Sequence, residues 1–101
     1  AIKITKHPDP VNEINTNKVI DISVHATGDE CCPITYSWFL NGVMIHDELE
    51  KPPYKRGPGG SLLFDPRNVS DDVLSSRTGG YQCNISNNYD TAMYEFTVVV
   101  K

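Results

Sequence analysis

The chain is patterned as an all-β sandwich of two antiparallel sheets, and three observations say so. Short runs that alternate apolar and polar residues recur about every 8–12 residues, each bounded by Gly, Pro, Asn or Asp, as half-buried strands separated by turns are written. No helix-start signal leads into a 3.6-residue apolar period. With 101 residues, 39% apolar and 9% aromatic, there is enough to close one core, so a single domain spanning 1–101 is expected.

The strands follow in order. Residues 18–26 set Ile20, Ile22, Val24 and Ala26 on one face and Asp21, Ser23 and His25 on the other, one face buried and one wet. Residues 35–40 place Tyr36, Trp38 and Leu40 together, and Asn41-Gly42 then supplies the left-handed backbone of a tight turn. Val43-Met44-Ile45 is the short return strand. Residues 51–60 hold three prolines and three glycines and read as an irregular connection without a ladder. Pairing resumes at Ser61 with Leu62 and Phe64 inward. Tyr81, Cys83 and Ile85 form the next inward set, ahead of a turn at 87–90. The last strand, 91–100, sets Ala92, Tyr94, Phe96, Val98 and Val100 against Met93, Glu95 and Thr97.

Composition removes several functional classes. Aromatic content is too high, and the 22% of charged residues too low, for a disordered segment. A net charge of -4 offers no basic footprint for nucleic acid. The longest apolar stretch, around 97–100, falls far short of the roughly 18 residues that cross a bilayer. Residues 1–5 lack the apolar core of a signal peptide. The chain is therefore expected to be a fragment of a larger multidomain protein, touching a membrane only through segments outside it.

Trp38 on the third strand, Gly79-Gly80-Tyr81-Gln82-Cys83 near the sixth and Ile22-x-Val24-x-Ala26-x-Gly28 on the second together resemble the immunoglobulin superfamily over essentially the whole chain. The resemblance implies an immunoglobulin-like Greek-key sandwich with a second-strand to sixth-strand disulfide, a tryptophan packed on it and a corner tyrosine two residues before the later cysteine. Val24, Trp38, Tyr81 and Cys83 are the matching core signature, with two departures. Val24, fourteen positions before Trp38, stands where the second-strand cysteine belongs, and Arg77 stands where an aspartate usually precedes the tyrosine. The opening residues 1–8, the loop before 35–42 and the closing strand are further similar to a membrane-proximal immunoglobulin domain of neuroglian- and contactin-type neural adhesion proteins.

Since Val24 removes the family bridge, the three cysteines pose an open question. The first expectation links Cys83 to Cys31 or Cys32; the alternatives are three reduced thiols, or a bridge between the adjacent Cys31 and Cys32. Asn68-Val69-Ser70 and Asn84-Ile85-Ser86 fit the N-glycosylation pattern, and alternation turns Asn84 outward. Lys51, Lys55 and Arg56 form a small basic cluster, but Glu48 and Glu50 adjoin it, so a solvated loop is expected. Phe39, Met44 and Tyr89 are candidates for a contact surface. His7, His25 and His46 are scattered and no nucleophile sits in a catalytic motif, so no metal, cofactor or enzymatic activity is expected.

These readings point to the extracellular part of a cell-surface adhesion protein, a neural-type glycoprotein at the plasma membrane. It would bind other adhesion proteins or its own kind and space the domains around it. An intracellular sarcomeric or cytoskeletal domain is the alternative, since such domains tolerate a missing bridge. The ligand-binding domain of a receptor kinase or phosphatase is a third.

Overall fold

The computed structural model describes residues 1–100. Ten strands run in the order β1 (Lys3–Lys6), β2 (Val11–Ile14), β3 (Ile20–Asp21), β4 (His25–Thr27), β5 (Thr35–Leu40), β6 (Val43–Met44), β7 (Tyr54–Arg56), β8 (Leu62–Phe64), β9 (Gly79–Ser86) and β10 (Thr91–Val100). One layer is a five-stranded sheet of order β2-β10-β9-β5-β6. The other is built from the β1-β4 ladder and a β3-β8-β7 sheet. β3 and β4 lie on one continuous stretch whose Ile22 and Val24 amides donate to Leu62 and Gly60 carbonyls at 3.0 Å, so the two pieces form a single layer.

Among the described residues all strand pairings are antiparallel except one. Pro8 and Pro10 cannot donate to a ladder and divide the opening segment. Its first half, β1, pairs with β4, and its second, β2, crosses to run parallel to β10. The turn at Asn41-Gly42 has both residues at positive φ, 51° and 82°, as the hairpin expectation requires.

The core lies between the layers. Ile22, Val24, Tyr54, Leu62 and Phe64 on one side meet Trp38, Leu40, Tyr81, Cys83, Ile85, Phe96 and Val98 on the other, all buried. Burying each of the larger apolar side chains contributes roughly 1.5–3 kcal/mol. Leu49, from a 3-10 turn at Asp47–Glu50, and Leu74 close the ends of the core.

The structure corrects the sequence reading in three places. Ser23, expected on the wet face, is buried. Its hydroxyl accepts from the Leu62 amide at 2.8 Å and donates to the Leu62 carbonyl at 3.2 Å, replacing one rung of the ladder and interrupting the strand expected over 18–26. The neighbouring Asp21 accepts from the Ser23 amide at 2.9 Å. Desolvation alone would raise the Asp21 carboxyl, but the bonds from Lys6 and Ser23 prevail and hold it at about 2. The 51–60 segment is not wholly irregular, because Tyr54–Arg56 pairs with β8 between the prolines and glycines. Gly60 is needed there, as a Cβ would lie 1.7 Å from the Val24 carbonyl oxygen. A short helix α1 (Asp71–Ser76) also forms, started by Ser70, whose side chain accepts from the Val73 amide at 3.3 Å.

Candidate functional site

Val24, Trp38, Tyr81 and Cys83 lie together in the core, Trp38 directly opposite Cys83 across β5 and β9. Trp38 meets Phe96 edge-on at 6.3 Å, and Tyr81 stacks on Phe96 at 5.3 Å. The Tyr81 hydroxyl donates to the Arg77 carbonyl four residues upstream at 2.6 Å, so the corner is made even though Arg77 replaces the usual aspartate. With its proton committed there, Tyr81 receives the proton of Tyr54. The Arg77 guanidinium sits over the Tyr54 ring at 5.9 Å. Burial, with Tyr54 alongside, pushes the Tyr81 hydroxyl far above its usual range. Tyr54 lay in the segment read as irregular; the signal that marks it is the inward-outward step from Tyr54 to Lys55.

The cysteines are arranged otherwise than first expected. Cys31 is joined to Cys32 in the β4-β5 loop, and Cys83 is free and buried. Burial pushes the Cys83 thiol up to about 12, so it is protonated at neutral pH and has no nucleophilic character. The histidines are apart: His7 stacks on Tyr94 at 4.4 Å, while His25 lies on β4 and His46 precedes the 3-10 turn. Among the described residues no group of three or more His, Cys, Asp or Glu is gathered in metal-binding geometry. Nor is any helix among them long and apolar enough to cross a membrane.

The two sequons differ in setting. Asn68 is exposed on a turn with φ 61°. Asn84 is half-buried in the middle of β9, between Met93 of β10 and Ser37 of β5, and accepts from Gln82 Nε2 at 2.7 Å. Of Lys51, Lys55 and Arg56, the last two line one depression with Lys6 and His25, and Arg56 lies 3.6 Å from Glu50.

What the geometry does gather is the outer face of the five-stranded sheet. Cross-strand register puts Glu95, Gln82, Phe39 and Met44 in one row, with Met93, Asn84 and Ser37 in the next. Met44 is 56% exposed and Met93 52%. A shallow depression of about 510 Å³ runs between Phe39 and Met93. Tyr89, the third contact candidate, projects instead from the β9-β10 turn. The molecule measures 43 by 24 by 22 Å. Its backbone enters beside Asp29 and Asp90, and β10 then carries the chain roughly 30 Å to the opposite pole.

No family model and no curated protein matches the chain. Solved structures do. Sidekick-1 immunoglobulin domains 1-5 align with a TM-score of 0.76 and 22% identity, over 99% of this chain and 19% of that one. The fold is immunoglobulin-like. Extracellular domains 3-5 of Drosophila OTK align at 0.74 and 19% identity, over 98% of this immunoglobulin-like chain and 31% of the OTK chain. Titin domain M7 aligns at 0.69 and 19% identity, over 99% and 93%. The chain thus spans a small part of the Sidekick-1 and OTK structures and nearly the whole titin module. Such identities speak to fold alone, and that fold serves both extracellular proteins and titin.

Proposed function

We propose that this immunoglobulin-like domain is a non-catalytic recognition and spacing module in the extracellular part of a longer cell-surface adhesion protein of neural type. It docks another protein through the outer face of its five-stranded sheet. The observation that carries the reading is that face itself: it bears a half-buried Phe39 with exposed Met44 and Met93, and its strands hold no lysine or arginine among the described residues. Contiguous exposed apolar residues with a polar surround are the ordinary chemistry of a protein contact. Entry and exit at opposite poles suit a unit that sets the distance between its neighbours. Asn68, exposed on its turn, is the glycan acceptor in this reading; Asn84 stays bare, since a glycan there would cover the docking face.

One observation favours a second reading, an intracellular filament domain. Val24 faces a core in which Cys83 is free, so nothing covalent joins the layers, and the chain spans 93% of titin M7. Peptide mapping of the protein from its native source, with thiols blocked before digestion, separates the two. The expected result is a glycan mass on Asn68 and a linked Cys31–Cys32 peptide. Three alkylated thiols with both asparagines bare refute the extracellular assignment.

A further inference from the structure

The two layers of the sandwich carry opposite charge. β2, β5, β6, β9 and β10 contain Glu13 and Glu95 and no lysine or arginine. β1, β3, β4, β7 and β8 contain Lys3, Lys6, Lys55 and Arg56, with His25, against a single carboxylate, Asp21. Asp21 is taken by Lys6 at 2.8 Å, and Arg56 is shared with Glu50 at 3.6 Å. Lys3 and Lys55 form no ion pair among the described residues. Between these cations the basic layer has a depression of about 320 Å³, where Leu63 is flanked by Lys6, His25, Lys55 and Arg56. That is an apolar floor inside a cationic rim. The acidic layer presents the converse, an exposed Met93 with Glu95 two residues on, projecting from the same face.

We infer that the partner of the five-stranded face is the basic layer of a second copy of this chain, held in a heterologous face-to-back contact. The inference rests on the docking face proposed above and names its occupant. A face-to-face pair would bring Glu95 against its own copy with no lysine or arginine on the described strands of either face, since Lys6 and Lys18 lie only at the edge beside Glu13, and a back-to-back pair would oppose lysines to lysines. Like charges brought together across an interface are costly, and only the face-to-back arrangement brings unlike charges into register. The broad side of the molecule, 43 by 24 Å, is large enough for the roughly 800 Å² per partner that a specific interface covers. Each copy keeps one face free on either side of the contact, so association does not stop at two.

Sedimentation equilibrium of the domain tests this. At low salt, about 20 mM, the average mass should climb with concentration past the dimer, and at about 0.5 M salt it should return towards the monomer. Glu95→Lys and Lys55→Glu, both at exposed positions, should each weaken self-association about tenfold or more while circular dichroism stays unchanged. Mixing the two variants should restore a heterodimer, because the intact back of one meets the intact face of the other. A protein that is monomeric up to about 1 mM overturns the inference. So does a salt-insensitive dimer abolished by Met93→Asp but untouched by Lys55→Glu, a result that leaves the docking face standing with a symmetric partner. Binding of a sulfated oligosaccharide to the basic layer without self-association also overturns it, and assigns those cations to a polyanion. Association that Met93→Asp leaves intact refutes the docking face as well.

Discussion

Val24 and Cys83 are both fully buried in the core that Trp38 fills, one from each layer. Replacing Val24 with Cys therefore places a thiol where the immunoglobulin bridge is ordinarily anchored. A link from position 24 to 83 closes a loop of about 60 residues, and the chain-entropy relation assigns it about 14 cal/mol/K, or roughly 4 kcal/mol at 25 °C. Removing the valine methyls takes back about 1 kcal/mol. The net gain of about 3 kcal/mol corresponds to a rise in Tm of roughly 12–24 °C for a domain of this size. Calorimetry with and without reductant, alongside a thiol count in denaturant, measures it. The oxidised Val24→Cys protein should show no free thiol where the parent shows one, and its reduced form should be about 1 kcal/mol less stable than the parent. Two titratable thiols and a lowered Tm in the oxidised sample would show that Val24 and Cys83 do not face each other, and the equivalence with the family bridge would fall.

Other outcomes follow from single groups. Ser23→Ala leaves the buried Leu62 amide without its partner, while the Leu62 carbonyl keeps the Ile22 amide, so the urea midpoint should fall by the equivalent of about 1–3 kcal/mol. A loss below about 0.5 kcal/mol would mean that the ladder closes without the hydroxyl. The Cys83 thiol titrates at about 12 when folded, well above its value in an unfolded chain. Above about pH 9 the unfolded chain gives up that proton while the folded one keeps it, so stability should decline as pH rises, by at most about 1.4 kcal/mol per pH unit from this group. Burial raises Tyr54 and Tyr81 as well, which steepens the decline above pH 10. Unfolding curves between pH 8 and 10 should flatten in Cys83→Ala; an unchanged slope would refute the assignment.

The strands that could be read from sequence are those whose partners demand strict alternation. β5, β9 and β10 lie side by side in the five-stranded sheet, each with one face on the core, so their period of two is nearly unbroken. The interruption at Ser23 escaped because a hydroxyl that takes over a backbone rung leaves no trace in hydropathy. β7 escaped because its three residues sit between a Pro-Pro pair and a Gly-rich turn, and composition outvoted the pattern. The charge difference between the layers is present in the residues, but which strand joins which sheet is decided by topology. Lys6 and Lys55 are far apart in sequence and meet only because β1 and β7 belong to the same layer. The free Cys83 follows from the same cause, since the loop holding Cys31 and Cys32 lies at a pole and Cys83 lies under Trp38.

The parallel pairing of β2 with β10 bears on what happens when such a chain is pulled by its ends. The second strand from one end and the last strand before the other run the same way, so tension drags them in opposite senses along their shared axis. Every rung from Val11–Thr97 to Ile14–Val100 is loaded at once, in shear. An antiparallel hairpin held at its open end would yield one bond at a time. A domain laid out this way resists stretching as a unit and then gives way abruptly, like a clasp and unlike a zip.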